Sequence, residues 1–217
     1  SVCLTEPHCG SDAASIRTRA ERDGDDFILS GEKASVTLVM AAHAGIVFAR
    51  TDPDAGAREV SAFLVPFDSP GITRHPYADM GSKSILRGSL FLDKVRVPAA
   101  NLIGTLNGAF GSAMQTFEYT RALIGLMCVG AAMQTLEETI AYTRERTAFG
   151  QPVSRNQGVS FPVAEAWSRL EMARWHCLRT LWLRDQNRPH NAEAAVCKGM
   201  VPEICVDVIR DCLVLHG

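Results

Sequence analysis

The sequence predicts an α+β protein in which strands occupy residues 1–104 and helices occupy residues 105–217. Over residues 16–100, short apolar runs are separated by turn residues, which is the pattern of β-strands. After Gly108 the apolar side chains recur at three- and four-residue spacing, which is the pattern of helices. The expected architecture is a β domain followed by at least three long antiparallel helices.

Four runs in the first half are the clearest candidate strands: 27–29, 44–49, 60–66 and 90–92. Asp23-Gly24 lies between alternating residues and predicts a hairpin turn. Residues 51–56 are rich in Thr, Asp, Pro and Gly and predict a second turn.

Three segments in the second half are candidate helices: 109–147, 163–186 and 192–216. Pro152 and Pro162 mark the boundary before the second helix, where Pro162 suits an early helical turn or a kink. Asn191 follows a short loop and is a candidate N-cap of the third helix. Three long helices with broad apolar faces favour a bundle that takes a fourth helix.

The composition excludes several classes of partner. Hydrophobic residues make up 47% of the chain, charged residues 21%, and the net charge is -2. This balance gives no reason to expect nucleic acid or an anionic membrane as a partner. The most apolar stretch, residues 122–133, holds 12 residues, fewer than the roughly 20 of a spanning helix, and predicts a buried core helix.

The cysteine pattern argues against a metal or disulfide framework. No two cysteines form a C-x-x-C pair, and the six histidines show no H-E-x-x-H spacing. We therefore expect no metal site. The odd count favours free thiols in a reducing compartment. The cysteines are Cys3, Cys9, Cys128, Cys177, Cys197, Cys205 and Cys212.

Two distant segments carry a resemblance: Leu4-Thr5-Glu6-Pro7-His8-Cys9-Gly10-Ser11-Asp12, and Arg146-Thr147-Ala148-Phe149-Gly150-Gln151-Pro152. Gly31-Glu32-Lys33 and Val95-Arg96-Val97-Pro98 lie between them. In this order they resemble the acyl-CoA dehydrogenase family of flavoenzymes. The resemblance implies a barrel-like middle domain and three of the four helices of a C-terminal bundle. It also leads us to expect a fragment that lacks the family's N-terminal helical domain and its C-terminal end.

The first segment has two interpretations. Its Pro, Gly, Ser and Asp residues are typical of an ordinary polar loop. Backbone N–H groups and small hydroxyls in such a loop can also bind a flavin and its pyrophosphate. The resemblance implies that Leu4, Thr5, Gly10 and Ser11 contact FAD, and that Ser11 also meets the acyl-CoA.

The second motif contains a departure from the family. Gly31-Glu32-Lys33-Ala34-Ser35-Val36-Thr37 is similar to the family's Gly-Glu-Lys-x-Trp-Ile-Thr, in which the Trp lies against the flavin and the Thr bonds its reactive nitrogen. The resemblance therefore places Ser35, Val36 and Thr37 at the cofactor. Ser35 stands where the family has Trp, which opens space beside the flavin. The run is most similar to the cyclohexanecarboxyl-CoA dehydrogenase-like branch.

The substrate side of the resemblance rests on two segments. Ile85 stands where the family often has a Ser that contacts CoA, so that contact is lost or moved to Ser84 or Arg87. On the first long helix, Phe117, Glu118, Thr120 and Arg121 match residues along the acyl-CoA path. As residues alone they would be a solvated turn of helix, yet an Arg at the edge of an apolar run usually has a fixed anionic partner. Arg121 is expected to support catalysis.

The resemblance also bears on the catalytic base. Some family members carry a catalytic Glu immediately before the matching Arg, and Thr120 occupies that position here. Glu118 is two residues earlier, about 200° round the helix, and should point elsewhere. We therefore expect the base to lie beyond Gly217.

The last segment is expected to serve both cofactor and assembly. Arg146 followed by Gly150 would suit a plain helix end. The resemblance implies that Arg146, Thr147, Phe149 and Gln157 contact the FAD of a neighbouring subunit. A guanidinium suits a diphosphate because it offers a bidentate fork. The protein would then be a homo-oligomer, with a homotetramer built as a dimer of dimers.

Together these residues imply an FAD-dependent acyl-CoA dehydrogenase that passes electrons to an electron-transferring flavoprotein. The space at Ser35 favours a cyclic or branched acyl group, such as cyclohexanecarboxyl-CoA, since packed sites leave few voids. Met40 or a residue of another domain could instead fill that space. The alternatives are a flavin oxidase or monooxygenase of the same fold, and a non-catalytic scaffold. The expected location is the bacterial cytoplasm or, in a eukaryote, the mitochondrial matrix.

Overall fold

A mixed eight-stranded sheet precedes three long helices in the computed structural model of this chain, which confirms the α+β prediction. The structure describes residues 1–51, 59–81 and 83–217. These residues divide into two units, Ser1–Ala113 and Met114–Gly217, each with its own hydrophobic core.

The eight strands are β1 (Val2–Cys3), β2 (Arg19–Asp23), β3 (Asp26–Val36), β4 (Ala44–Arg50), β5 (Val60–Pro66), β6 (Ile72–Pro76), β7 (Gly88–Pro98) and β8 (Leu102–Ile103). Their order across the sheet is β6-β7-β3-β2-β4-β5-β8, with β1 beside β4. β4 runs parallel to both β1 and β2, and the remaining pairs are antiparallel. All four candidate strands fall within observed ones. The domain boundary predicted after residue 104 falls just beyond β8.

The predicted hairpin joins β2 to β3. Asp23 pairs with Asp26, so the loop is Gly24 and Asp25 alone. Gly24 has a φ of 63°, which is the left-handed conformation that two-residue hairpin turns require. The second predicted turn, over residues 51–56, falls almost wholly outside the described residues.

β3 and β7 are the longest strands, and their pairing contains two irregularities. The register shifts between Leu29 and Gly31 and again between Lys33 and Val36. At Gly31 a Cβ would lie 2.5 Å from the Oγ1 of Thr18. The close approach of β3 to the segment just before β2 therefore requires glycine. The second shift lifts Ser35 out of the ladder with a φ of 56°. A bulge of this kind re-aims the side chains that follow it.

The helices are α1 (Ala109–Glu145), α2 (Gln157–Asp185) and α3 (Asn191–His216). α2 begins six residues earlier than predicted and holds Pro162 in its second turn. The predicted N-cap at Asn191 was wrong by one residue. His190 takes the cap position and makes no side-chain capping bond, and Asn191 is the first residue of α3.

The bundle core consists mostly of small residues, which lets the three helices approach closely. At Gly125 on α1 a Cβ would lie 2.7 Å from the Sγ of Cys177 and 3.0 Å from the carbonyl oxygen of Cys197, so all three helices meet there. The core residues are Ala122, Val129, Ala132, Leu136, Ala166, Leu170, Ala173, Cys177, Cys197, Val201, Cys205, Val208 and Cys212.

The cysteines behave as apolar core residues. All seven are free thiols, and six of them are buried. Burial raises the pKa of Cys3 and of Cys177 to about 12, and that of Cys205 to about 11. Thiols that stay protonated are poor nucleophiles and poor metal ligands.

α1 extends on both sides of the apolar stretch 122–133, which by itself is shorter than a membrane-spanning helix. By length and composition alone the helix could span one, with a mean hydropathy of 1.2 over an 18-residue window. Only 28% of that window is buried. The predicted buried core helix therefore turns one face to the core, with Ala122, Val129 and Ala132, and the rest of its surface is accessible within its unit.

Candidate functional site

The loop over residues 4–12 is held in place by one buried carboxylate. Oε1 of Glu6 accepts hydrogen bonds from the backbone N–H and the hydroxyl of Thr18, at 2.9 and 2.6 Å. Oε2 accepts the backbone N–H of Arg17 at 2.6 Å. The loop is thereby tied to the segment that leads into β2.

Lys33 joins the same carboxylate from β3. Its Nζ lies 2.7 Å from Oε1 of Glu6 and donates to the carbonyl oxygen of Leu4 at 3.1 Å. The two residues are 0% and 4% exposed, so the ion pair lies inside the unit. A further bond, from the backbone N–H of Ala34 to the carbonyl oxygen of Thr5 at 2.8 Å, runs beside it.

Burial and pairing act in opposite directions on these two charges. Burial alone would raise the pKa of Glu6, but the charge of Lys33 and the hydrogen bonds outweigh it, so the pKa is lowered. Burial lowers the pKa of Lys33, and Glu6 offsets that effect only in part. A buried carboxylate needs this many donors to remain ionised. Glu6 therefore fixes the loop's shape and is already fully engaged.

The ion pair supports a cavity of about 530 Å³, a size typical of small-molecule sites. It is lined by Thr5, Glu6, Pro7, His8, Cys9, Gly10, Glu32, Ala34, Ser35 and Tyr77. Three of the predicted cofactor residues, Thr5, Gly10 and Ser35, are thus brought together. The lining combines hydroxyl groups, loop residues and one tyrosine ring, which suits a planar polar ring such as a flavin.

The other cofactor residues predicted in this unit lie outside that lining. Leu4 and Val36 are both buried, and the side chain of Val36 packs in the hydrophobic core of the sheet unit. Ser11 and Thr37 are exposed, one in the loop and one just after β3. The carbonyl oxygen of Thr37 accepts the hydroxyl of Ser1 at 2.8 Å.

The space beside Ser35 is partly filled by Tyr77, which the sequence did not indicate, and by Arg87, which the sequence indicated only as a possible CoA contact. The hydroxyl of Tyr77 accepts the backbone N–H of Ser35 at 3.3 Å. A guanidinium nitrogen of Arg87 lies 3.4 Å from the hydroxyl of Ser35. The guanidinium of Arg87 also donates two hydrogen bonds to the carboxylate of Asp79, at 2.5 and 2.9 Å. Met40, the candidate considered from the sequence, lines a neighbouring cavity of about 400 Å³ together with Tyr77 and Arg87.

Three potential metal ligands also meet in the first loop. Atoms of Glu6, His8 and Cys9 lie within 4.8 Å of one another. The carboxylate of Glu6 is already bonded to the ammonium of Lys33, and a metal cation there would face that charge. Burial is the largest cause that raises the pKa of Cys9. This group is therefore better explained as part of the loop's own packing.

The predicted substrate residues of the second unit lie on α1. Glu118 accepts the side-chain amide of Asn191 at 2.7 Å, and Thr120 donates its hydroxyl to the carbonyl oxygen of Phe117 at 3.1 Å. Arg121 is half-buried. These bonds tie Glu118 to the start of α3 and turn the hydroxyl of Thr120 back onto its own helix.

The last predicted cofactor residues surround a small hairpin between α1 and α2. Its strands are β9 (Thr147–Ala148) and β10 (Gln151–Pro152). Phe149 at its tip has a φ of 53° and is 102% exposed, and Arg146 and Gln157 are exposed as well. The backbone of Arg146 is bonded to Tyr142 and to Val153, both at 2.8 Å. A rigid backbone thus displays these side chains to the outside of their unit.

Comparison with known proteins gives the same family for both halves of the chain. The family model described as "Acyl-CoA dehydrogenase, middle domain" matches residues 1–95. The model described as "Acyl-CoA dehydrogenase, C-terminal domain" matches residues 107–217.

Individual relatives agree with this result. A probable acyl-CoA dehydrogenase, YngJ of Bacillus subtilis, is 37% identical over all of this chain and 58% of its own length. The caffeyl-CoA reductase-Etf complex subunit CarC of Acetobacterium woodii is 31% identical, again over all of this chain and 58% of its own. A glutaryl-CoA dehydrogenase of Mycobacterium smegmatis, solved in complex with FADH2, superimposes with a TM-score of 0.88. It is 30% identical, and the match covers all of this chain and 55% of that one. The chain thus spans somewhat more than half the length of the relatives it matches.

Proposed function

This chain belongs to the acyl-CoA dehydrogenase family, and from that premise we propose that its protein oxidises an acyl-CoA thioester with FAD. The observation that supports this most is the cavity at Thr5, Gly10 and Ser35, built on the buried Glu6–Lys33 pair. Its hydroxyls and loop backbone suit a flavin ring, and members of this family are flavoproteins.

In the proposed reaction the flavin supplies the hydride acceptor, and the protein positions the reactants. Thr5, Gly10, Ser11, Ser35 and the segment to Thr37 hold the cofactor by backbone and hydroxyl groups. Lys33 and Glu6 act indirectly, because they keep the loop against β3. A rigid cradle of this kind reduces the entropy lost on alignment of the reacting carbons.

On α1 we propose that Phe117, Glu118, Thr120 and Arg121 border the acyl-CoA, with the charge of Arg121 directed at the thioester end. Glu118 does not serve as the base in this proposal, since its carboxylate is bonded to Asn191. Thr120 has no carboxylate. We therefore propose that the base comes from outside residues 1–217.

We propose a homo-oligomer, a dimer of dimers, in which Arg146, Thr147, Phe149 and Gln157 reach the FAD of a neighbouring subunit. The complete exposure of Phe149 supports this, as do the half-exposed indoles of Trp167, Trp175 and Trp182 on α2. Large exposed apolar surfaces usually mark interaction sites. An electron-transferring flavoprotein is the proposed electron acceptor, supported by the Etf complex in which one relative is a subunit. The free buried thiols support a reducing compartment, bacterial cytoplasm or mitochondrial matrix.

The finer proposal is a cyclic or branched acyl group such as cyclohexanecarboxyl. It depends on open space at Ser35, and the structure places Tyr77 and Arg87 beside that residue. The comparison that tests it is kcat/KM for cyclohexanecarboxyl-CoA against butyryl-, octanoyl- and isobutyryl-CoA. We expect the ring substrate to be fastest and Ser35→Trp to slow it selectively. A straight-chain thioester with the highest kcat/KM would refute this choice.

The activity itself is tested on the complete protein. We expect a bound flavin spectrum that is bleached anaerobically by an acyl-CoA. A flavin reduced only by a substrate without CoA would favour an oxidase or monooxygenase of this fold. A protein that binds no flavin would be a scaffold.

A further inference from the structure

We propose that Tyr77 is a cofactor-positioning residue whose ring forms one wall of the flavin cavity. This inference rests on the proposed function, since it takes FAD as the occupant. Among the described residues that line the 530 Å³ cavity, Tyr77 carries the only phenyl, phenol or indole ring. It is 37% exposed, so part of that ring is free to meet a ligand.

The position of Tyr77 is determined from both of its ends. Its backbone N–H donates to the carbonyl oxygen of Arg87 at 2.9 Å, which continues the pairing of β6 with β7. Its hydroxyl lies 2.8 Å from the hydroxyl of Ser89, which is buried in β7, and accepts from the backbone of Ser35. A ring held at its backbone and at its hydroxyl has little rotational freedom to lose when a ligand binds.

Arg87 adds a third constraint. Its guanidinium carbon lies 5.3 Å from the centre of the Tyr77 ring, within range of a cation–π contact. The two bonds from Arg87 to Asp79 hold the guanidinium there and offset its charge. Arg87 therefore covers one face of the Tyr77 ring. A planar ligand in the cavity would contact the part of the ring that lines the cavity.

The small side chain of Ser35 makes this arrangement possible. Ser35 lies within the second irregularity of β3 and has a left-handed backbone, and both Tyr77 and Arg87 approach its atoms to within 3.4 Å. An indole at this position would compete with them for space. The loss of an aromatic side chain at position 35 and the presence of one at position 77 are thus parts of one arrangement.

The test compares Tyr77 with a matched aromatic residue on the same sheet. Phe91 on β7 is 36% exposed and packs edge-on against His75 at 5.3 Å, but it does not line the cavity. In the complete protein, stripped of flavin, we would measure the Kd for FAD and the fluorescence of the bound flavin. The variants are Tyr77→Phe, Tyr77→Leu and Phe91→Leu, with circular dichroism as the check on folding.

We expect Tyr77→Leu to weaken FAD binding by about 2- to 12-fold, the range of an aromatic pair, and to brighten the bound flavin. Tyr77→Phe should retain most of the affinity and the quenching, because it keeps the ring. Phe91→Leu should change neither. If Tyr77→Phe loses as much as Tyr77→Leu, the hydroxyl braces Ser35 and the ring has no positioning role. If Tyr77→Leu binds FAD as the wild type does, this inference alone fails, whereas a wild type that binds no FAD overturns the proposed function as well.

Discussion

The substitution Lys33→Met tests whether the buried ion pair holds the first loop. It removes an ammonium that lies 2.7 Å from Glu6 and 3.1 Å from the carbonyl oxygen of Leu4, and it leaves the carboxylate buried. Breaking one side of a buried ion pair costs about 3–5 kcal/mol. Three donors from Thr18 and Arg17 remain on the carboxylate, so we expect about 3 kcal/mol, the low end.

The pH dependence of the unfolding free energy distinguishes a loss of charge pairing at Glu6 from a loss of side-chain packing. In the wild type the pKa of Glu6 lies below its ordinary 4.5, so its stabilising effect is lost as pH falls below that value. Without Lys33, burial should raise the pKa of Glu6 above 4.5, and the folded state then binds the proton more tightly than the unfolded state. The deficit of Lys33→Met relative to the wild type should therefore shrink as pH falls from 7 towards 4.5.

The assay is urea denaturation of the complete protein, followed by tryptophan fluorescence at several pH values. Lys198→Met removes an exposed lysine and serves as the control, with a change of less than about 0.5 kcal/mol. Adding Glu6→Gln to Lys33→Met should recover part of the lost stability, because a neutral amide costs less to bury. A deficit that stays constant with pH, or a double variant as unstable as the sum of both singles, would refute the electrostatic explanation.

Four further substitutions, in two pairs, test other parts of the structure. Arg146→Ala should weaken FAD retention and lower the oligomer mass in light scattering. The control, Arg144→Ala, replaces an exposed arginine in the last turn of α1 and should change neither. If the two variants behave alike, Arg146 is better explained as part of a plain helix end. Gly88→Ala should destabilise by about 1–3 kcal/mol in urea titrations, since its Cβ would lie 2.2 Å from the carbonyl oxygen of His75. Gly130→Ala, inside α1 with nothing within 4 Å of the new Cβ, should instead stabilise by up to about 1 kcal/mol, and the same sign for both would contradict the packing argument.

Local patterns in the sequence determined the type and order of the elements. The spacing of apolar residues predicted strands before helices, and Asp23-Gly24 predicted the β2–β3 hairpin. These signals depend on neighbours within a few residues, so they survive in the sequence alone. The predicted first residues of α2 and α3 differ from the observed ones, because Pro162 and Asn191 are compatible with more than one helix start.

The contacts that shape the candidate site depend on residues far apart in the chain, and only the tertiary structure decided them. Lys33 meets Glu6 across 27 positions, and Tyr77 meets Ser35 across 42. Lys33 and Ser35 lie on β3, where two irregularities shift its register with β7, whereas Glu6 lies in the first loop and Tyr77 directly follows β6. The motif that contains Ser35 indicated open space, because the sequence does not show which distant side chains approach that residue. The folded sheet brings Tyr77 and Arg87 into part of that space.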